Sequence, residues 1–316
     1  MQPLFLAFWN VENLFDLETA PRLDKLQKVI GKSLQGWDDA VLSSKLGQLS
    51  KVIRSLNEGK GPDALGVCEV ESAAVLGKLC QRIATDGGRQ YQVAHADSSD
   101  ARGIDVAFLY DAQRMQAGAT FQHWVVKRKA TRDLLQVNFT VEGQPLVLIA
   151  NHWPSRLGGQ YESEPYRMTA GETLAYWHQR IQQELGPQVA VVAMGDFNDE
   201  PFNRSLQEYA LAVNDRDTVL NGRNPYWLNL MWPLLATGQG SHYYDGWGML
   251  DQMLVSKGVV NGQSGWRVET PCRIEGQGLM AQSNRQPHRF GLEPGKRDLN
   301  GFSDHFPVSL TLQRVG

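Results

Sequence analysis

Polar residues recur at the ends of short apolar runs in a pattern suited to metal-assisted hydrolysis. Asn10 follows the run 4–9, Glu69 and Glu71 follow 64–67, and Asn151-His152 follow 146–150. Asp196 and Asn198 follow 189–194, Asp251 stands just before 253–255, and Asp304-His305 precede 308–312. If these ends converge, one pocket receives carboxylate oxygens, amides and two imidazoles, and no cysteine. Hard oxygen donors of this kind suit Mg2+ or Mn2+ rather than zinc. A carboxylate and an imidazole at one strand end, facing a carboxylate and an amide at another, can hold a divalent cation and activate water against a phosphate ester.

The elements that must carry these residues are legible in the hydrophobic pattern. The runs 4–9, 64–67, 106–110, 146–150, 189–194, 253–255 and 308–312 are short, apolar throughout and bounded by Gly, Pro, Asn or Asp. That is the pattern of strands buried on both faces. Residues 134–141 alternate instead, which predicts a half-exposed strand. Val41, Leu42, Lys45, Leu46, Leu49, Val52, Ile53 and Leu56 repeat at three-and-four spacing behind the capping candidates Asp38 and Asp39, which predicts an amphipathic helix. Ser72 begins a second helix, and a third runs from about residue 166 to 185, where Gly186-Pro187 stops it. Helices alternate with strands early and strands dominate later. This mixture points to a layered α/β sandwich with two facing sheets and helices outside. No composition shift divides the chain, so residues 1–316 read as one domain, with irregular stretches at 22–37, 221–247 and 272–301 set to rim the site.

Bulk composition narrows the function classes. The 316 residues are 42% hydrophobic and 21% charged, an ordinary globular balance. A formal net charge of -3 gives no long-range attraction to polyanions, so a nucleic-acid substrate would need local Lys and Arg clusters. Cys68, Cys80 and Cys272 have no C-x-x-C spacing, as expected for reduced thiols in a cytoplasmic protein. The first apolar run is too short for a signal sequence, and no segment is long enough for membrane insertion. No obligate protein partner is evident.

Taken in order, Trp9-Asn10-Val11-Glu12-Asn13, Cys68-Glu69-Val70-Glu71, residues 102–110, Asn151-His152-Trp153-Pro154-Ser155, Gly195-Asp196-Phe197-Asn198, Leu250-Asp251-Gln252 and Ser303-Asp304-His305 span nearly the whole chain. This set resembles the endonuclease/exonuclease/phosphatase superfamily, in a bacterial branch with an N-H-W-P-S-R type segment. The resemblance implies a DNase I-like four-layer sandwich, two mainly antiparallel sheets flanked by helices. It implies Glu69 as principal metal ligand, with Asn10 and Asp304 beside it. Asp196 would orient or deprotonate the attacking water, and Asn198 would position it. His305, held by Asp251, would contact the scissile phosphate, and His152 would face that phosphate from the other side.

Other positions stay open on sequence grounds. Glu71 competes with Glu69, since strand alternation puts both on one face. Gln252 stands where the family often has an aromatic residue. Arg156 and Arg167 flank the Gly158-Gly159 turn and offer guanidinium groups to clamp further phosphate oxygens, the plainer reading being surface ion pairs. His95, His123, His178, His242 and His288 have no motif around them and read as structural. Tyr243, Tyr244 and Trp247 either stack a ring or anchor their loop, and Lys127-Arg128-Lys129 with Arg132 either touches a nucleic-acid backbone or, the plainer reading, forms a solvated hairpin tip. The expected activity is a phosphodiesterase, foremost a nuclease. A phosphoesterase for a small molecule or lipid head group comes second, and a non-catalytic binding module last, because every expected catalytic position is filled.

Overall fold

Covered on both faces, the apolar runs become strands. The computed structural model describes residues 2–126 and 131–315, so Lys127-Arg128-Lys129 lies outside the described residues. The described strands are β1 (Leu4–Leu14), β2 (Ala64–Val70), β3 (Tyr91–His95), β4 (Asp105–Asp111), β5 (Gln116–His123), β6 (Leu134–Val141), β7 (Gln144–His152), β8 (Val191–Asp196), β9 (Ala212–Val213), β10 (Trp227–Asn229), β11 (His242–Tyr243), β12 (Trp247–Gly248), β13 (Asp251–Val255), β14 (Trp266–Ile274) and β15 (Val308–Arg314). The longest helices are α1 (Asp24–Ile30), α2 (Asp39–Gly59), α3 (Ala73–Thr85) and α4 (Gln160–Leu185).

Two sheets result. The first has the order β14-β15-β1-β2-β4-β3 and the second β5-β6-β7-β8-β13-β10-β9, while β11 and β12 form a separate small ribbon. Antiparallel pairing predominates, yet both sheets are mixed: β1 runs parallel to β2, β7 to β8, and β9 to β10. A parallel neighbour requires a crossover. Helix α2 lies in the crossover from β1 to β2, and α4 in that from β7 to β8.

The alternation of side chains divides the interior into three layers of contact. Leu4, Leu6 and Phe8 face Leu148, Val192 and Met194 between the sheets. Ala7, Trp9 and Val67 point the other way, onto Leu49, Ile53 and Leu79 of α2 and α3. Val147, Ile149 and Val191 meet Ala170, Leu174 and Ile181 of α4. Burying each such aliphatic side chain contributes about 1.5–3 kcal/mol. The order helix, sheet, sheet, helix is the expected four-layer sandwich.

The helix signals correspond closely to the structure. Asp38 accepts from Val41 N at 3.0 Å and Ser72 from Val75 N at 3.3 Å, each satisfying a first-turn amide. Helix α4 starts at Gln160, earlier than expected, and ends at Gly186, whose φ of 101° suits glycine alone. Strand β6 departs from the half-exposed expectation. Its outer residue Leu134 packs against the α4 layer and Gln136 bonds His123 at 2.7 Å, so only the Asn138–Thr140 end reaches solvent. The irregular stretches also hold short elements, among them α1, the β11–β12 ribbon and a helical turn at Gln277–Met280. No helix among the described residues is long and apolar enough to cross a membrane.

Candidate active site

The parallel pairs β1–β2 and β7–β8 end at the same edge of the sandwich, and the expected residues gather there. In the second sheet His152 and Asp251 each lie in register with Asp196, which sets three polar side chains across β7, β8 and β13. In the first sheet Asn10 lies in register with Cys68, one residue before Glu69. Asn10 Nδ2 donates to Asp196 Oδ2 at 3.1 Å and so links the two sheets. The last loop is tied to β1 by Ser303 Oγ on Asn10 O at 2.6 Å and by Trp9 Nε1 on His305 O at 2.8 Å.

Backbone irregularity separates the two glutamates. Pairing of β1 with β2 slips between Asn10 and Leu14, and that of β2 with β4 between Cys68 and Val70. Glu69 sits in this bulge at φ 62°, a left-handed conformation rare for a residue with a side chain. Alternation therefore fails, and Glu69 and Glu71 face different partners. Glu71 is bound by Arg22, with Nη2 at 2.9 Å, and by Asp16 N at 2.7 Å. Glu69 Oε2 accepts from Asn13 N at 3.1 Å, while Oε1 lies 3.8 Å from His152 Nε2.

Asp196 is almost fully buried, and its two oxygens accept from Asn198 N at 2.9 Å and Asn10 Nδ2 at 3.1 Å. Burial pushes its carboxyl up to about 7, with His305 opposing and Asp251 adding to the rise. A carboxylate of that basicity can take a proton from water near neutral pH. Asn198, at φ 51°, donates Nδ2 to Trp153 O at 3.1 Å. His152 lies 3.8 Å from Asp196 Oδ2, and its Nδ1 has no partner among the described residues. Burial first, then Arg132, Arg102 and His305, hold its pKa well below the usual value, which favours the neutral imidazole. Close packing here depends on Gly195, where an added Cβ would lie 2.5 Å from the Asn151 carbonyl oxygen. Gly195→Ala is expected to force β7 from β8 and cost about 1–3 kcal/mol, read from its urea midpoint.

The second imidazole is the charged one. His305 Nδ1 lies 2.7 Å from Asp251 Oδ2, which also accepts from Ser241 Oγ at 2.6 Å. Burial pushes His305 down, but Asp251, Asp196 and Asp304 together carry its pKa well above the ordinary value. His242, which sequence alone assigned to structure, places its ring 4.5 Å from that of His305.

Three further groups, given no role on sequence grounds, stand around this cluster. Glu12, at φ 50°, is buried and accepts from Arg289 Nε at 2.9 Å, Phe290 N at 2.8 Å and Gly291 N at 3.2 Å. Arg289 Nη2 also lies 3.4 Å from Asp304 Oδ2. Lys45 reaches from α2 to donate Nζ to Phe302 O at 2.7 Å. Burial pulls its ammonium down to about 8, although Glu12, Asp304 and Glu69 favour the charged form.

Of the two arginines expected to clamp phosphate, Arg167 turns inward and Arg156 stays at the rim. Arg167 has no exposed side-chain surface; it bonds Ser163 Oγ at 2.7 Å and pairs with Asp199 Oδ2 at 2.7 Å. Helix α4 begins before it, so its side chain points into the protein and props the loop after Asp196. Arg156 donates Nε to Asn198 O at 2.7 Å and lies 3.3 Å from Asp199, which leaves it partly exposed beside that loop. Arg132 is buried against Trp153 O at 2.6 Å rather than at a solvated tip. Gln252 ties Asp199 O to Asn229, a structural role where an aromatic residue was expected.

The donor chemistry fits a hard cation. Glu69 and Asp304 offer carboxylates 17% and 27% exposed, and Asn10 Oδ1 keeps a lone pair beyond its bond from Glu12 N. Cys68, His152 and Asp196 also lie within ligating distance of one another. Burial, then Asp196 and Glu69, raise the Cys68 thiol well above its usual value, and a neutral thiol is a poor ligand for Mg2+.

Comparison with known proteins agrees with this architecture. Humanized TDP2 of D. rerio aligns at 16% identity and a TM-score of 0.56, over 98% of this chain and 99% of that one. The human Nocturnin catalytic domain, solved with bound sulfate, aligns at 15% identity and a TM-score of 0.59, over 99% and 94%. A mannosyl-6-phosphatase of Bacteroides thetaiotaomicron aligns at 12% identity and a TM-score of 0.58, over 98% and 99%. At these identities the likeness is one of fold. No curated protein matches the sequence significantly. The Endonuclease/Exonuclease/phosphatase family model, by contrast, matches residues 5–314, and the chain belongs to that family of hydrolytic phosphoesterases.

Proposed function

We propose that this phosphoesterase is a divalent-metal-dependent phosphodiesterase, foremost a nuclease. The observation that supports it most is the convergence of Asn10, Glu69, His152, Asp196, Asp251 and His305 from both sheets at one edge. The rim there is open, with Asp304 27% and the Arg289 side chain 64% exposed, which suits a polymer lying across it. A small-molecule phosphatase is the second reading, favoured by the mannosyl-6-phosphatase of the same fold.

In this mechanism Asp196 accepts a proton from the attacking water while Asn198 holds that water in line. The water oxygen bonds to phosphorus, the ester oxygen departs, and solvent returns a proton to it. Charged His305, oriented by Asp251, stabilises the anionic oxygens, and His152 offers them a neutral hydrogen bond. Glu69, Asn10 and Asp304 would hold the cation, whose contribution is Lewis-acid neutralisation of phosphate charge.

Hydrolysis of plasmid DNA, RNA, bis-p-nitrophenyl phosphate, inositol phosphates and mannose 6-phosphate, each with and without EDTA, tests the reading. Activity that survives EDTA, or no activity on any of them, contradicts it. Calorimetric titration with Mn2+ tests the ligand assignment. Glu69→Gln is expected to weaken binding about tenfold or more, the scale for altering a metal's immediate surroundings. Glu71→Gln should leave affinity near wild type while destabilising the fold, because it uncouples a buried pair with Arg22. The opposite pattern would make Glu71 the ligand.

A further inference from the structure

Arg289 is built as an aimed cation rather than a buried brace. Its backbone is fixed beside the last loop: Phe290 N and Gly291 N both donate to Glu12, and Phe302 N donates to His288 O at 2.6 Å. At Gly301 an added Cβ would lie 2.0 Å from Arg289 O, so the two segments touch directly before Ser303-Asp304-His305.

The guanidinium is fixed on one side only. Nε and Nη2 lie 2.9 and 2.8 Å from Glu12 Oε1, and Nη2 lies 3.4 Å from Asp304 Oδ2. Nη1 makes no hydrogen bond among the described residues, and the side chain is 64% exposed. Glu12 is the reverse: its side chain is 1% exposed, its backbone is left-handed, and its recorded side-chain hydrogen bonds all go to residues 289–291. A buried carboxylate in a costly conformation is thus spent on holding an arginine whose outer donors face solvent at the rim. Glu12 also offsets the guanidinium charge, which lets it stand beside a neighbouring cation site.

We propose that Arg289 is a substrate-binding residue that grips, through its free Nη1 fork, an anionic phosphate oxygen that an isolated diester does not offer. This rests on the phosphoesterase reading of the same site. Two sources share that chemistry: the neighbouring phosphate of a polynucleotide and the extra oxygen of a terminal phosphomonoester.

The test compares Arg289→Ala, Arg289→Lys and the double variant Glu12→Gln/Arg289→Ala, the last of which removes the carboxylate that a lone Arg289→Ala would strand. Binding of a labelled single-stranded oligonucleotide is read by fluorescence anisotropy in an Asp196→Asn background, with no turnover needed. Hydrolysis of p-nitrophenyl phosphate and bis-p-nitrophenyl phosphate is read in the active enzyme. A neighbouring-phosphate contact gives about tenfold weaker oligonucleotide binding in both alanine variants, and a salt slope shallower by about one. Arg289→Lys recovers part of the loss. A terminal-phosphate contact instead gives about a tenfold loss on the monoester with oligonucleotide binding kept. Equal losses on diester, monoester and oligonucleotide, or no loss on any, overturn the proposal. Wild-type protein that hydrolyses nothing overturns the phosphoesterase mechanism instead, and the anisotropy still reports on Arg289.

Discussion

Asp196→Asn is expected to lower kcat about 1000-fold, within the range that general-base catalysis supplies, while oligonucleotide affinity changes far less. The substitution keeps the shape and the acceptor for Asn198 N, so the loop after β8 should hold its place. What it removes is the basic oxygen. Single-turnover cleavage separates the two effects, and a variant that turns over near the wild-type rate would show that Asp196 is not the base. On the acid side, wild-type activity should fall as pH drops through the raised Asp196 value, because the protonated carboxyl cannot accept from water.

Asp251→Asn should show the second large effect, in stability and in pH dependence together. Five groups face His305 from the elements around it: Asp251 on β13, Asp196 on β8, Asp304 on its own loop, His242 on β11 and His152 on β7. Its folded pKa is raised, so the stabilisation from protonation is fully present below the unfolded value of about 6.5 and is lost as pH climbs through the folded value. Without the Asp251 charge, burial dominates and the imidazole sheds its proton at lower pH. The variant should lose about 3–5 kcal/mol of stability, as when one member of a buried pair is removed. Its activity should fall through the neutral range where wild type persists. NMR titration of His305 reads the shift directly, and superimposable titrations in the two proteins would remove Asp251 from its role.

Much of this was legible in the chain because strand interiors and helix caps are local. The run ending in Asp196 must be a covered strand whatever lies beside it, and Asp38 and Ser72 cap the helices that follow them. The polar residues at the strand ends were legible for the same reason. Four things were not. A bulge at Glu69 overturns the alternation rule, and no residue type announces it. Arg167 could be placed only once the start of α4 was known, since a helix turn decides whether a long side chain points in or out. Glu12 and Arg289 belong together only because β1 and the segment before β15 meet in space. Ser241, which holds Asp251, likewise comes from a loop whose path follows no pattern in the chain.

Because β15 pairs with β1, the segment bearing Asp304 and His305 is seated only when these two strands, far apart in sequence, join inside the first sheet. A partly folded chain would carry Asp196 and His152 but lack the charged imidazole opposite them. The candidate site is therefore completed only when β15 docks on β1, so its assembly is tied to the longest-range pairing of the first sheet.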